Sequence, residues 1–480
     1  MSDGPGPRRG VLVRARNGDV VAFDETGLRM RLSDEVIRDI AARLPDAGFA
    51  GGAGEEVPPA VLGDLDAWSV TRRGGDYAFT ARMPGAEGAR RYLRPVDMET
   101  ALEIIAEPTE LSAILSLSGA RRAEGGEETL AFPWHVVTAG DHLGPAGAAG
   151  TEPTRATDRL HRLGEQTRDS LIADAILARR ARDFRRLPTF FVRCEADESA
   201  DAAAWSGGAA WANFEQSARN LAAAGARLAL APRVQGVALD FTLEDVVSGE
   251  AEWLAAMRAA AGRIAGLFDA LRLGPPRLFA IFDAGDNRIT DGPVLRAQWR
   301  LAWEGAGMPV HYTAPGYMFV QDSFGRHTPA ARRAMAEMEA EALEVLAAGG
   351  DWRCPLPLLA EREGDPAVIR CRTEAMGPLT LDPADPLGAG PAGGFRLEGV
   401  TNGAAITGVA VARDDPKDVL ITCDRPPEGV GLTLLYALGA PAVAGPGPAN
   451  RGALRDGWGL ELASGETLRR WALPAALPVH

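Results

Sequence analysis

The feature that most constrains this chain is a regular alternation of apolar strands and amphipathic helices between residues 127 and 348. The strand candidates are "LAFPWHVVTAG", "LPTFFVRCE", "LALAPRVQGVALDF", "PPRLFAIFDAG" and "MPVHYTAPGY". The helix candidates are "TRDSLIADAILARRARDF", "AAWANFEQSARNLAAAGAR", "GEAEWLAAMRAAAGRIAGLFDALRL", "GPVLRAQWRLAWEGAG" and "TPAARRAMAEMEAEALEVLAAGG". This alternation predicts an α/β fold, with a mainly parallel sheet covered by helices on both faces. In that architecture ligands bind at the carboxyl ends of the strands.

The segments on either side follow other patterns. Near the start, "GVLVRARNGDVVAFDE" predicts a hairpin around Asn17-Gly18, and "SDEVIRDIAARL" predicts a helix capped by Ser33. Further on, "PVDMETALEIIAEP" and "TELSAILSL" predict two short helices or turns. After Gly350, short strand candidates between Gly, Pro, Asn and Asp clusters predict an all-β sandwich of jelly-roll type. We therefore predict three domains: a mixed α/β attachment domain at 1–126, the α/β domain at 127–350 and the sandwich at 351–480.

Charge and cysteine usage exclude several classes of function. The net charge of −14 argues against a nucleic-acid or anionic-membrane partner, because such partners need clustered cations. We expect no membrane-spanning helix and no signal peptide, so the protein is made in the cytoplasm. The four cysteines are scattered without metal-ligand spacing, which predicts buried free thiols. We accordingly predict no cofactor and no metal.

Several sequence blocks follow one another in an order that is typical of one hydrolase family. They are "WHVVTAGDHLG", "GEQTRDSLIADAIL", "WSGGAAWANFEQSARNLAAAGARLALAPRVQGVALD", "GPVLRAQWRLA", "APGYMFVQDSFGRHTPAARRAMAEMEAEAL" and the ending "LLYALGAP…RGALRDGWGLELASGETLRRW". From Phe132 to the end, the chain resembles SGNH/GDSL-type hydrolases. The similar branch is the sialate O-acetylesterase-like one found in phages, prophages and gene transfer agents. The resemblance implies a flavodoxin-like SGNH domain, and it implies the acyl-transfer chemistry of a serine, a histidine and an aspartate.

The resemblance assigns a site to nine positions. In the family, a serine on a strand-end turn attacks an acetyl ester, and glycine-loop amides form the oxyanion hole. The serine position reads Gly140-Asp141-His142 here, and the Asp…His pair corresponds to Asp322 and His327. The predicted ligand-binding residues are Gly140, Asp141, His142, Ser206, Gly207, Gln235, Asp240, Asp322 and His327.

Three parts of the family's site depart from its pattern: the nucleophile, the Gln-Gly-Glu strand end and the Asp…His spacing. His142 stands where the nucleophilic serine is expected, and Val237 replaces a carboxylate after Gln235-Gly236. Asp240 is shifted by one position, and Asp322 and His327 are two residues further apart than in the family. A nucleophile and its base must meet within hydrogen-bond distance, which these changes disfavour. They predict a degenerate esterase without confident catalytic residues.

Other uses of these residues remain open. Ser206 is a candidate nucleophile or a turn serine, and the loop "FDAGDNRITDG" is a candidate cation site or a solvated acidic loop. His142, Asp141 and His327 can form a metal site if they converge. Aromatic residues near the expected cleft would suit a sugar, and we expect one or two of them to be exposed. They are Trp134, Trp205, Trp211, Tyr312 and Tyr317.

The resulting expectation is a carbohydrate-binding adsorption protein. It would be an oligomeric spike or fibre component of a phage-like particle, such as a gene transfer agent, and would bind host capsule or surface polysaccharide. The expected location is a particle, released by lysis, in which it contacts the other particle proteins. Two alternatives are an active carbohydrate O-acetylesterase and a purely structural particle protein.

Overall fold

The computed structural model describes residues 10–14, 20–24, 27–31, 62, 65–86, 88–148, 152–196, 202–241, 247–304, 310–462 and 464–480. The helix predicted with Ser33 as its cap and the turn at Asn17-Gly18 lie outside these residues. No helix in the described ranges is long and apolar enough to cross a membrane.

Two antiparallel sheets precede the α/β alternation. The first contains β1 (Gly10–Arg14), β2 (Val20–Asp24) and β3 (Gly27–Arg31). The second contains β4 (Ala67–Arg73), β5 (Asp76–Ala81), β6 (Arg90–Pro95) and β7 (Ile105–Ala106). The antiparallel pairing of β1 with β2 agrees with the predicted hairpin. A short helix or turn was predicted around residues 95–108, and it contains a 3₁₀ turn, Ala101–Glu103, followed directly by β7.

A central eight-stranded sheet organises the molecule. Its strands are β8 (Leu111–Ser118), β9 (Val136–Ala139), β10 (Ala146–Ala148), β11 (Leu160–Arg162), β12 (Thr189–Ala196), β13 (Arg233–Ala238), β14 (Leu278–Phe282) and β15 (Val310–Pro315). The order is β11-β9-β12-β8-β13-β14-β15, with β10 beside β12. All pairs are parallel except β11 with β9. The predicted mainly parallel sheet is confirmed.

Strand β8 corrects one prediction. "TELSAILSL" was expected to form a short helix or turn, yet residues Leu111–Ser118 are the strand between β12 and β13. All eight residues are buried, because helices cover both faces of the sheet. Ser112, Ser116 and Ser118 alternate with apolar residues, a strand-like period that the prediction of a helix or turn did not take into account. The central sheet thus includes a strand from the segment assigned to 1–126.

Helices lie on both faces of this sheet, as the alternation predicted. They are α1 (Ala120–Ala123), α2 (Arg168–Arg182), α3 (Ala209–Arg227), α4 (Glu250–Leu271), α5 (Pro293–Glu304) and α6 (Pro329–Ala347). Helices α2 and α6 pack around Ile114, Phe190 and Phe279 on one face. Helices α3, α4 and α5 pack around Leu115 and Phe191 on the other face. Alternate residues of each strand therefore enter opposite cores.

The C-terminal part forms three antiparallel sheets. Its strands are β16 (Leu356–Arg362), β17 (Val368–Glu374), β18 (Thr380–Leu381), β19 (Phe395–Glu398), β20 (Ile406–Val411), β21 (Asp418–Cys423), β22 (Thr433–Tyr436), β23 (Leu454–Glu461), β24 (Thr467–Trp471) and β25 (Ala475–Pro478). The orders are β16-β17-β21-β20, β18-β23-β24 and β19-β22-β25. Within the described residues from 351 onward there is no helix, in agreement with the prediction of short strands.

Buried hydrogen bonds join this part to the α/β part. The Asn450 side-chain amide donates to the carbonyls of Ala284 (2.8 Å) and Thr290 (2.6 Å), in the loop after β14. The Tyr317 hydroxyl donates to the Ala472 carbonyl at 2.6 Å. Each bond satisfies a polar group that packing has removed from water.

Candidate functional site

The carboxyl ends of β8, β13, β14 and β15 meet around a narrow cavity, which we call the strand-end cavity. Its volume is about 30 Å³. It is lined by Gly119, Arg121, Arg122, Arg168, Asp240, Ile281, Asp283, Gly316, Gln321, His327 and Met335. In an open parallel sheet, strand ends of this kind are where ligands bind. The available space suits one or two water molecules, or the end of a larger ligand.

Arg122 occupies the end of the central strand. It lies in α1, just after β8, and its side chain is completely buried. Its guanidinium donates to Asp169 (2.6 Å), Asp240 (2.7 Å) and Glu339 (2.8 Å). Burial alone would lower the pKa of Arg122, but the carboxylates of Asp169 and Glu339 outweigh it and hold that pKa above its usual value. Arg122 is therefore a permanent charge, fixed by three partners.

Arg168 completes this cluster, which we call the Arg122 network. It is the first residue of α2, it contacts Asp240, and its Nε lies 3.2 Å from Glu339 Oε2. Burial, followed by the neighbouring Arg122, lowers the pKa of Arg168 to about 10, so it remains charged at neutral pH. Two guanidinium groups and three carboxylates thus interlock where the strands end. Such a buried network holds its side chains in one arrangement.

His327 lines the cavity, and one of its ring nitrogens is unpaired among the described residues. This buried Nε2 has no hydrogen-bond partner in the described part of the chain. Burial, then the charges of Arg168, Arg121 and Arg332, lowers the pKa of His327 to about 3. The ring is therefore neutral at physiological pH, with a nitrogen available to a ligand.

Asp322 does not orient this histidine. Its Oδ1 accepts hydrogen bonds from the backbone amides of Phe324 (2.8 Å) and Arg326 (2.9 Å), and the carboxylate pairs with the Arg326 side chain at 3.5 Å. Asp322 thus stabilises its own exposed turn. No hydrogen bond joins Asp322 to His327 among the described side chains, so the expected Asp…His pair is not formed.

The turn at Gly140-Asp141-His142 lies elsewhere in the sheet. It follows β9, which β12 separates from β8. Asp141 is buried, where its Oδ1 accepts from Arg193 (3.2 Å) and from the Leu143 amide (3.0 Å). His142 is partly exposed and pairs with Glu152 on the surface. These contacts give Asp141 a structural role and leave His142 outside the strand-end cavity.

The remaining predicted residues are dispersed. Ser206 ends a 3₁₀ turn and Gly207 follows it, where the turn packs against α4. Gln235 lies in β13 and donates to Ser112 Oγ at 3.2 Å, near the start of β8. Only Asp240 and His327, of the nine predicted residues, line the strand-end cavity. Its arginines were missed, because β8 itself had not been identified as a strand.

No serine, threonine or cysteine side chain hydrogen-bonds a histidine ring in the described part of the chain. The hydroxyl of Ser116, in β8, accepts from Arg122 Nε at 2.9 Å and donates to Asp169. All four cysteines are buried and free, as predicted, and burial raises the pKa of Cys194 to about 12. This arrangement does not support acyl transfer.

The open alternatives for cation binding receive no support from the loop after β14. Asp283 accepts from the Gly285 amide (2.7 Å), Asp286 accepts from the Ile289 amide (2.7 Å), and Asp291 pairs with Arg296. These bonds are those of a self-stabilised loop. Across the described ranges, no group of three or more His, Cys, Asp or Glu side chains is arranged to hold a metal ion.

The expectation of exposed aromatics near the cavity is wrong. All five rings are buried in hydrophobic cores: Trp134, Trp205, Trp211, Tyr312 and Tyr317.

Comparison with known proteins found no matching family model and no matching curated protein. What the protein does has therefore to be inferred from its own residues.

The lowered histidine pKa values predict a pH-dependent stability. In the folded protein, burial lowers the pKa values of His327 and His135 to about 3 and about 4. Below about pH 6.5 these histidines are therefore protonated in the unfolded chain but remain neutral in the folded protein. Stability should therefore fall with decreasing pH from 6.5, by up to about 1.4 kcal/mol per pH unit for each histidine. Urea unfolding at pH 7, 5.5 and 4.5 measures this. His327→Gln should flatten the slope; a slope equal to that of wild type would contradict the assignment.

Proposed function

We propose that this protein is a non-hydrolytic carbohydrate-binding protein. It would use a flavodoxin-like, SGNH-type sheet followed by a jelly-roll-like sandwich, and act as an adsorption component of a phage-like particle, such as a head spike or tail fibre of a gene transfer agent. The observation that carries the proposal is the Arg122 network. It occupies the carboxyl end of the central strand β8, and ligands bind at such strand ends in open parallel sheets.

The network explains how ester chemistry would be lost. An acyl-transfer site needs a hydroxyl or thiol, a histidine within hydrogen-bond distance and free space for the tetrahedral intermediate. Here Arg122 donates to the Ser116 hydroxyl and to three carboxylates, those of Asp169, Asp240 and Glu339. His327 has no hydroxyl partner among the described residues. Binding without turnover is the function that this chemistry supports.

The cavity favours a small polar substituent of a sugar. Arg121 offers donors, Asp240, Asp283 and the Gln321 side-chain oxygen offer acceptors, and the neutral His327 offers either. A volume of about 30 Å³ does not admit a sugar ring, but it can receive a hydroxymethyl or acetyl group. Such a group would project into the cavity from a polysaccharide lying across the strand ends.

The adsorption role is supported by the resemblance to esterases of phages, prophages and gene transfer agents. Many copies on a symmetric particle would bind one polysaccharide surface at once. Multivalent attachment converts weak individual sites into strong overall binding. A site limited to one substituent per copy would therefore suffice.

The test combines an activity assay with a binding assay on the full chain. We expect no acetate release above background from acetylated polysaccharide or a chromogenic acetyl ester. We expect measurable binding to capsule or lipopolysaccharide fractions by biolayer interferometry. Turnover that is lost in His142→Ala or His327→Ala would establish the esterase alternative. Absence of both turnover and binding would establish the structural alternative.

A matched pair of variants locates the binding. Arg121→Ala removes a partly buried donor from the cavity, whose nearest acid, Asp286, lies 4.0 Å away. Arg326→Ala removes an exposed arginine of a neighbouring loop. We expect Arg121→Ala to weaken binding about fivefold to tenfold, the loss of roughly one charged hydrogen bond. Arg326→Ala should change it less than about twofold; equal effects would contradict binding at the cavity.

A further inference from the structure

A second cleft, which we call the Trp303 cleft, opens at the other end of β15. The strand-end cavity lies beyond the carboxyl end of β15, whereas this cleft borders its first residues, the end of α5 and the strands β16 and β17. It is lined by Ala302, Trp303, Val310, His311, Tyr312, Asp351, Trp352, Arg353, Cys354, Leu356, Glu374 and Leu473. Its volume is about 280 Å³, near the lower end of the range for small-molecule sites.

An exposed indole forms one wall of the cleft. The Trp303 side chain is 50% exposed, in contrast to the core position of most tryptophans described. Its ring packs against Trp299 with centroids 5.7 Å apart, and Trp299 Nε1 donates to the Pro357 carbonyl at 2.7 Å. Trp299 thus holds the ring of Trp303 in place. An apolar face that is both exposed and held in place suits stacking by a ligand.

Planar polar groups line the cleft beside this ring. Arg353 lies between two carboxylates, with its Nε 2.8 Å from Asp351 Oδ2 and its Nη1 in contact with Glu374. All three side chains are exposed at their ends. Each carboxylate retains lone pairs, and Arg353 retains donors, so the group can exchange several hydrogen bonds with hydroxyls.

The charge of the cleft discriminates between ligand classes. Two carboxylates and one guanidinium give the described lining a formal charge of −1. Burial lowers the pKa of His311, the histidine of this lining, so it adds no cation at neutral pH. A uronate or sialate residue would face uncompensated negative charge. A neutral hydroxylated ring would experience no such charge repulsion.

We propose that the Trp303 cleft binds a neutral hexose of a polysaccharide, with the sugar ring stacked on Trp303 and its hydroxyls hydrogen-bonded to Asp351, Arg353 and Glu374. The proposal rests on carbohydrate binding as the proposed function. It adds a site distinct from the strand-end cavity, and it names the sugar class. With two sites at opposite ends of β15, one copy can contact a polysaccharide at two points.

The experiment measures binding of linear hexaoses of glucose, galactose and mannose, and of a hexauronate, to the full chain by calorimetry. At least one neutral hexaose should bind about tenfold or more tightly than the hexauronate. Trp303→Ala should weaken that binding at least tenfold. Trp68→Ala, which removes an exposed tryptophan of strand β4, should change the affinity less than twofold.

A second variant keeps the test independent of folding. Glu374→Gln preserves the side chain's shape and leaves Arg353 paired with Asp351; it should reduce the preference for neutral over uronate sugar at least threefold. If Trp303→Ala and Glu374→Gln bind like wild type, the Trp303 cleft is not the site. If wild type binds polysaccharide fractions but no neutral hexaose, this inference fails and the proposed function stands. If wild type binds no carbohydrate, both fail.

Discussion

Replacement of Arg122 by methionine is expected to lower the free energy of unfolding by about 3–5 kcal/mol, the cost of removing one partner from a buried ion pair. The substitution keeps an apolar stem in the space beneath Phe279, whose ring lies 5.1 Å from the guanidinium. It leaves Asp169 and Glu339 buried without the donor that compensates them. Urea unfolding followed by intrinsic fluorescence measures the loss.

Two further variants give this prediction a control. Arg326→Met removes an exposed arginine and should change stability by less than about 0.5 kcal/mol. Arg122→Met combined with Asp169→Asn removes a charge together with its partner, so the double variant should be more stable than Arg122→Met alone. A loss below about 1 kcal/mol for Arg122→Met would show that the strand end tolerates an open site. The esterase alternative would then regain support.

The second large effect on stability is expected for substitution of Asp141. Substitution of the adjacent His142 should change stability little. Asp141→Ala should destabilise the protein by about 2–4 kcal/mol, because it removes a buried acceptor from Arg193 and from the Leu143 amide. Arg193 keeps its bond to Glu195 at 2.7 Å, which limits the loss. His142→Ala should cost less than about 0.5 kcal/mol, since its pairing with Glu152 is on the surface.

The same pair of variants separates structure from binding in the Gly140-Asp141-His142 turn. His142→Ala should leave polysaccharide binding within about twofold of wild type, because His142 lies outside the strand-end cavity. Unfolding midpoints and binding curves are to be measured on the same preparations. A His142→Ala variant with native stability but no binding would place the ligand at this turn. The strand-end cavity would then lose its assigned role.

Much of the architecture followed from local pattern. All five helices predicted between residues 167 and 350 are present, as are the strands predicted between them, because amphipathic and apolar periodicities depend on neighbouring residues only. Burial of the cysteines and the strand-rich C-terminal part were also predicted correctly. Several short strands were not predicted, and β8 was assigned to a helix or turn although Ser112, Ser116 and Ser118 give its sequence a largely alternating pattern.

The resemblance placed the serine position at the turn after β9, which gave His142. With β8 assigned to a helix or turn, the residues at the end of β8 were not included in the predicted site. Strand order depends on pairing between segments far apart in the chain, which periodicity does not encode. His327 and Asp240 were identified from sequence, but their neighbour Arg122 was not.

Composition and periodicity were sufficient to predict the doubly covered parallel sheet and to argue against a nucleic-acid partner. The fold alone brought Arg122, Asp169, Asp240 and Glu339 into contact, across as many as 217 positions of sequence separation. The physical reason lies in the range of the interactions. Apolar burial along one element is a local property of its residues, whereas the mutual compensation of buried charges exists only after distant elements have packed together.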